Sequence, residues 1–227
     1  MTRKCAWLAA VMIASAPMSV AAAADSGWYV GGQAGASFLE DAENSGSGAD
    51  ITSRTKTGYD LSGAAGFRFG NGLRADAEFG YRRHDFDSLQ IRADGGLGAA
   101  FGVGSLNGST LKATGHLSAL SLLGNLWYDL DLGGGVKPYL GGGLGAARIS
   151  GTNVAVGGVT IVNNSDTVFA FQLGAGVGYE VFPAATVSVD YRYFRTADPT
   201  FKDLVLGTSF QSEYHAHDIR LGVRYQF

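Results

Sequence analysis

The sequence predicts an all-β chain, an eight-stranded antiparallel up-and-down transmembrane β-barrel, on three observations. Apolar and polar residues alternate in segments of about ten residues, close to the roughly 9–11 that a strand needs to cross a bilayer. The segments are joined by connections that are alternately short and long, the habit of barrels with tight turns on one side and loops on the other. After residue 24 no stretch of ~18 apolar residues exists that could cross as a helix.

The 227-residue chain opens with Arg3 and Lys4, an apolar run from Cys5 to Val20, and Ala22-Ala23-Ala24 before Asp25. A basic start, a short apolar centre and a small-residue cleavage point make a secretory signal peptide. Residues 1–24 are therefore expected to be a leader and 25–227 the barrel domain. A spanning helix fits less well, because the run is short and broken by Ser15 and Pro17. Cys5 precedes the apolar stretch, which speaks against a lipid anchor at the cleavage point. Cleavage leaves 203 residues without cysteine, so disulfides and thiolate chemistry are excluded. Losing Arg3 and Lys4 moves the formal charge from −3 to −5, and nucleic acid, which needs a basic surface, is not an expected partner.

Eight strands follow from parity. The first, Trp28 to Phe38, sets Val30, Ala34, Ala36 and Phe38 against Tyr29, Gln33 and Ser37. In the second, Tyr59 to Phe69, Tyr59, Leu61, Ala65, Phe67 and Phe69 oppose Asp60, Ser62 and Arg68. The third opposes Leu73, Ala75, Ala77, Phe79 and Tyr81 to Arg74, Asp76, Glu78 and Arg82. The fourth, Leu117 to Leu130, opposes Leu120, Leu122, Leu126 and Tyr128 to Asn125, Trp127 and Asp129. The fifth, Tyr139 to Ile149, is so rich in glycine that its facing stays open. The sixth, Thr167 to Val181, sets Phe169, Phe171, Leu173, Val177 and Tyr179 against Gln172 and Glu180. The seventh puts Val187, Val189, Tyr191 and Tyr193 opposite Ser188, Asp190 and Arg192. In the eighth, Ile219, Leu221, Val223, Tyr225 and Phe227 oppose Asp218, Arg220 and Arg224.

Short connections lie at 70–72, 131–136 and 182–185, and long ones near 39–56, 85–115, 150–166 and 195–213. Asn107-Gly108 and Gly157-Gly158 are hairpin dipeptides within two of the long links, which are expected to continue as paired strands beyond the membrane.

A soluble barrel of the lipocalin type has the same strand count, so inside and outside must be assigned from chemistry. The polar faces hold seven acids, Asp60, Asp76, Glu78, Asp129, Glu180, Asp190 and Asp218, and six bases, Arg68, Arg74, Arg82, Arg192, Arg220 and Arg224. Every one of those bases is arginine, while Lys56, Lys112, Lys137 and Lys202 fall at strand ends or in loops. A confined interior favours the planar guanidinium that grips carboxylates bidentately. The charged face is expected to be the lumen and the apolar face to meet lipid. An eight-stranded barrel is just wide enough for side chains, so thirteen nearly balanced charges are expected to fill it as an ion-pair network.

Four segments, in this order, carry a resemblance. They are the start Gly27-Trp28-Tyr29-Val30-Gly31-Gly32, the run Leu73 to Arg82, the run Pro138 to Gly145, and the ending Leu221-Gly222-Val223-Arg224-Tyr225-Gln226-Phe227. The chain resembles the small eight-stranded surface-antigen and opacity-type outer-membrane barrels of Gram-negative bacteria, similar in architecture to the OmpA membrane domain. The resemblance covers 25–227 and implies a place in the cell outer membrane, with its lipid as partner. It also implies that Val223, Tyr225 and Phe227 form the signal read by the assembly machinery. Such proteins include adhesins, exposed antigens and haem binders, so the resemblance fixes place more closely than task.

His84, His116, His215 and His217 all fall near external strand ends, which raises haem or metal binding. The first two are on strands three and four and the others on strand eight, and no third ligand joins His215 and His217. They are expected to be ordinary rim histidines, with no metal or cofactor. Lipid-modifying hydrolases of this size pair serine with histidine; His215 is followed only by Ala216 and His217, and no GxSxG is present. Gly141-Gly142-Gly143-Leu144-Gly145 lacks the βαβ setting of a nucleotide loop, and close packing in a narrow barrel accounts for it. The expected function is that of a non-enzymatic, monomeric surface protein whose four external loops meet a host or envelope ligand. A narrow porin-like channel is the second reading, and a surface haem binder or lipid hydrolase the third. The loops carry eleven acids (Glu40, Asp41, Glu43, Asp50, Asp85, Asp87, Asp94, Asp166, Asp198, Asp203, Glu213) against six bases (Arg54, Lys56, Arg92, Lys112, Arg195, Lys202), an acidic rim.

Overall fold

Alternating faces become a barrel when each strand pairs with its sequence neighbour and the last pairs with the first. The computed structural model describes residues 26–227 apart from 47, 48, 101, 133, 134 and 206, and the expected leader 1–24 lies outside the described residues. The elements are β1 (Gly27–Leu39), β2 (Ala42–Gly46), β3 (Ala49–Thr55), β4 (Gly58–Arg68), β5 (Leu73–Asp94), α1 (Leu97–Ala100), β6 (Thr110–Asp129), β7 (Val136–Val156), β8 (Val159–Phe182), β9 (Ala185–Thr196), β10 (Thr200–Lys202), β11 (Ser209–Ser212) and β12 (His215–Gln226). Eight of them form an antiparallel ring, β1-β4-β5-β6-β7-β8-β9-β12. It closes through β1 and β12, in register from Tyr29↔Gln226 to Leu39↔Ala216.

Within the ring the two faces are those that parity predicts. Leu122, Leu126, Leu173, Val189, Leu221 and Val223 point outward and exposed, whereas Asp60, Arg74, Glu78, Arg82, Asp190 and Arg220 are buried in the bore. Outward aromatics gather at two levels. Trp28, Phe67, Phe69, Tyr128, Tyr179 and Phe227 belong to the short-turn end, and Tyr59, Tyr81, Tyr191 and Tyr193 to the other. Such girdles mark the two membrane interfaces.

The structure settles the facing of β7. Tyr139, Ala147 and Ile149 are buried inside, while Leu140 and Leu144 are exposed outside. The inward positions between them are glycines for lack of room. A Cβ on Gly141 would stand 2.5 Å from a ring carbon of Trp127 on β6, and one on Gly143 would collide with the Asn125 side chain.

All four long connections contain paired strands, and in the 85–115 link β5 and β6 continue as a pair from Ser88↔Lys112 to Gln90↔Thr110. β2 and β3 form a hairpin that continues onto β5, and β11 of the last connection pairs with β2. The 150–166 link is a continuous β7–β8 hairpin closed by Gly157 (φ 57°) and Gly158 (φ 85°). Positive φ at both central residues is the type I′ geometry that matches strand twist. Asn107-Gly108 does not close a comparable hairpin: β5 and β6 are bridged by a segment containing α1, and Gly108 donates its N–H to Ile91 O.

These extensions build a second storey above the membrane ring, ordered β10-β11-β2-β3-β5-β6-β7-β8. Leu204 N donates to Ile161 O at 2.9 Å, tying the β10–β11 connection back to β8. Bulges change its lining. The β5–β6 register slips between Asp85 and Ser88, so that Leu89 and Ile91 turn inward where even-numbered residues did below. On β7 the slip falls beside Asn153 (φ 48°), and Val154 and Val156 turn inward. An extra residue reverses the facing of everything beyond it. Together with Leu117, Ile149 and Phe194, which face inward in phase with the ring, the turned residues make the upper core apolar, with Val154, Val162 and Phe201 among its members.

Candidate functional site

The thirteen charged residues singled out by parity all project into the bore, where they fall into two groups. In the half nearer the upper storey, Arg82 of β5 donates through Nε to Asp218 of β12 at 2.8 Å and stands 3.4 Å from Asp60 of β4. Arg220 reaches Asp190 of β9 at 3.0 Å, Asp60 at 3.4 Å and Glu78 at 3.6 Å. Arg82, Arg220, Asp60 and Asp218 are fully buried. Arg192 pairs with Asp190 at 3.1 Å, and its guanidinium lies 3.7 Å from the centroid of the Trp127 ring. Arg82 lies 4.0 Å over Phe194 in the same way. Planar guanidinium explains both contacts, since it can grip a carboxylate with its edge and cover a ring with its face.

In the half nearer the short turns, Asp129 is the hub. Arg74 binds it at 2.8 Å, and Arg68 and Arg224 stand 3.9 Å away. Glu180 meets Arg68 at 3.9 Å and Lys137 at 2.5 Å. Lys137 was not among the expected bore residues; it sits at its strand end, as the sequence suggests, but its ammonium points inward. With it the bore holds seven acids and seven bases. Asp76 is held by neutral donors, Tyr29 Oη at 2.6 Å and Asn125 Nδ2 at 2.7 Å.

Neutral side chains join the groups. Gln172 of β8 donates to Glu78 at 3.1 Å and to Asn125 Oδ1 at 2.8 Å, and Tyr139 donates to Asp190 at 2.7 Å. Gln172 and Asn125 were legible as polar-face residues, Tyr139 was not because the facing of its strand stays open in the sequence, and nothing in the spacing reveals which partner each would meet across the bore.

Val223, Tyr225 and Phe227 share the outward face of the last strand, and Tyr225 stacks edge-on to Phe227 at 5.4 Å. Phe227 N donates to Trp28 O at 2.9 Å, so the chain end is hydrogen-bonded to the first strand.

The histidines divide. His84 is not a rim residue: it points inward, is fully buried, and packs edge-on against Tyr214 at 6.3 Å. His116 lies outward beside Asp85. It stands two residues from Ser118, a serine–histidine spacing that the sequence reading passed over; no hydrogen bond joins this pair among the described residues. His215 and His217 do share one outward face, and Glu40 joins them. His217 Nε2 donates to Glu40 Oε1 at 2.6 Å, His215 Nδ1 lies 3.3 Å from Oε2, and Tyr191 Oη meets His217 Nδ1 at 2.6 Å. The hydrogen bond from His217, helped by that from His215, holds the Glu40 carboxyl below the usual carboxylate range. Among the described residues no group of three or more acidic, histidine or cysteine side chains is arranged to hold a metal ion.

Two arginines that the parity reading left out, Arg83 and Arg148, face outward near the upper aromatic level. Counting them, the external bases number eight against eleven acids. Part of that charge is internally paired, Arg54 with Asp41 at 3.1 Å and Arg92 with Glu43 at 3.8 Å.

Known proteins share this architecture. The outer membrane protein OprG of Pseudomonas aeruginosa superimposes with a TM-score of 0.54 at 14% identity, covering 88% of this chain and 97% of that one. Neisserial surface protein A aligns over 88% of this chain and 97% of its own, at 23% identity and a TM-score of 0.49. An outer membrane protein of Gluconacetobacter diazotrophicus is 26% identical over 258 aligned positions that take in all of this chain and 64% of the relative. This chain thus spans about two thirds of the length of that relative. The ring and its outward apolar belt agree with the match of residues 6–227 to the outer membrane protein beta-barrel domain, and the chain belongs to that family of outer-membrane proteins.

Proposed function

We propose that this is a non-enzymatic, monomeric surface protein whose bore is a structural plug and whose recognition is carried by the upper storey. The single observation behind this reading is the fully buried quartet Arg82, Asp60, Asp218 and Arg220, which joins β4, β5 and β12 across the bore. Each charge faces an opposite one, and burial of ions is tolerable only under that condition. On the outer structure Asp87 is exposed, and Asp41, Glu43 and Asp85 are held only by exposed pairs with Arg54, Arg92 and Arg83, which are weak enough for a basic or cation-bridged partner to replace. Removal of residues 1–24 and delivery through Val223, Tyr225 and Phe227 complete the proposal.

The test is display of the full chain on a non-adherent Gram-negative strain, with adhesion measured to surfaces coated with basic matrix proteins. The intact chain should raise adhesion above an empty-vector control. Replacing Asp41, Glu43, Asp85 and Asp87 by their amides should remove most of the gain. A displayed chain that adds nothing would refute recognition by the upper storey.

A further inference from the structure

Above the plug the bore changes character, and its lining there encloses space. Leu89 and Ile91 of β5, Val154 and Val156 of β7, Ile161 of β8 and Phe210 of β11 wall a cavity of about 100 Å³. Well-packed cores leave few voids larger than a water molecule, so this one asks for an occupant.

The wall's polar side chains are few, and of them Thr55 keeps a buried hydroxyl without a hydrogen-bond partner. Asn44 Nδ2 donates to Ser53 Oγ at 2.7 Å and to the backbone oxygens of Ile51 at 3.1 Å and Ala42 at 3.2 Å. Asp203, the only charged side chain on the wall among the described residues, accepts from Val205 N at 2.7 Å. An anionic guest would meet a like charge there, and a strongly polar one would find few partners on a wall that is mostly apolar. Apolar cavities of this kind stay dry and take apolar guests; one of ~150 Å³ accepts benzene. Below lies the ion-paired bore, so the chamber is an end point rather than a stage of passage.

We propose that this chamber is a binding site for a small, uncharged, apolar molecule about the size of one aromatic ring, received from the external side. The bulges at Asp85/Ser88 and at Asn153 are what create it, because each turns apolar side chains into a bore that is charged beneath them.

Isoleucine methyl NMR of the full barrel in lipid nanodiscs, titrated with fluorobenzene, tests this directly. Ile51, Ile91 and Ile161 line the chamber, while Ile219 faces lipid and reports partition of the probe into the bilayer. The expected result is saturable shifts at the three chamber methyls and a linear drift at Ile219. Val154→Phe, which fills the chamber, should weaken saturable binding at least tenfold. Ala42→Leu is a second, smaller filler should the first fail to give the folded, heat-modifiable form. Phe210→Ala should admit a two-ring probe such as fluoronaphthalene that the native chamber excludes. Chamber methyls that merely drift in step with Ile219, or a titration unchanged by a folded filler variant, would overturn the proposal.

Discussion

Arg74 holds Asp129 through two nitrogens, Nε at 2.9 Å from both carboxylate oxygens and Nη2 at 2.8 Å from Oδ1. Both side chains are almost wholly removed from solvent. Breaking such a pair strands a buried carboxylate, at a cost of about 3–5 kcal/mol. Arg68 and Arg224 stand close enough to offset part of it. Arg74→Ala is therefore expected to lower unfolding free energy by roughly 2–4 kcal/mol, measured by urea unfolding in lipid vesicles. Lys202→Ala, which removes an exposed side chain of β10, should stay within about 0.5 kcal/mol. Equal midpoints for the two variants would contradict the buried pairing.

Conduction gives a second check. With Arg82, Arg220 and Arg192 all paired with carboxylates inside the bore, purified protein in planar bilayers should show conductance close to baseline. Large, stable single-channel steps at neutral pH would replace the plug by a porin-like path.

Glycine positions test the facing of β7. Gly141→Val would drive a branched side chain into Trp127, and a stability loss of about 1–3 kcal/mol is expected from overpacking. Gly63→Ala, on the outward face of β4, meets nothing nearer than 3.9 Å. It should be neutral or stabilising by up to about 1 kcal/mol. A larger loss at Gly63 than at Gly141 would invert the assignment of inside and outside.

Glu40 predicts a pH dependence. Its carboxyl is held below the usual range by His217 and then His215, so its contribution is fully present above the ordinary carboxylate pKa of about 4.3. It is lost as pH falls through the lowered folded-state value. Hydrogen exchange at the Glu40 N–H, which donates to His215 O, should stay protected at pH 5 after correction for intrinsic rate. Protection should weaken in stronger acid, and Glu40→Gln should show the weaker protection already at pH 5. Loss of protection already between pH 7 and 6 in the native chain, well above the carboxylate range, would refute control by Glu40.

The sequence by itself determined the eight-strand ring, the inward and outward sets of seven strands, and the thirteen charges of the bore. Parity is enough for this, since a membrane strand has only two surroundings and they differ sharply in polarity. Only the tertiary structure decided which charges meet. Arg82 and Asp218 are 136 residues apart, and their contact depends on ring closure. The facing of β7 was likewise decided by the Trp127 ring on its neighbour, because glycine carries no side chain to read. The paired extensions at 85–115 and 150–166 were legible from their hairpin dipeptides, but their apolar lining was not, for a third reason. A bulge adds one residue and reverses the alternation, so Leu89 and Val154 lie out of phase with the strands that lead to them. Read in phase, those extensions show no inward apolar face; paired in space, they enclose an apolar chamber.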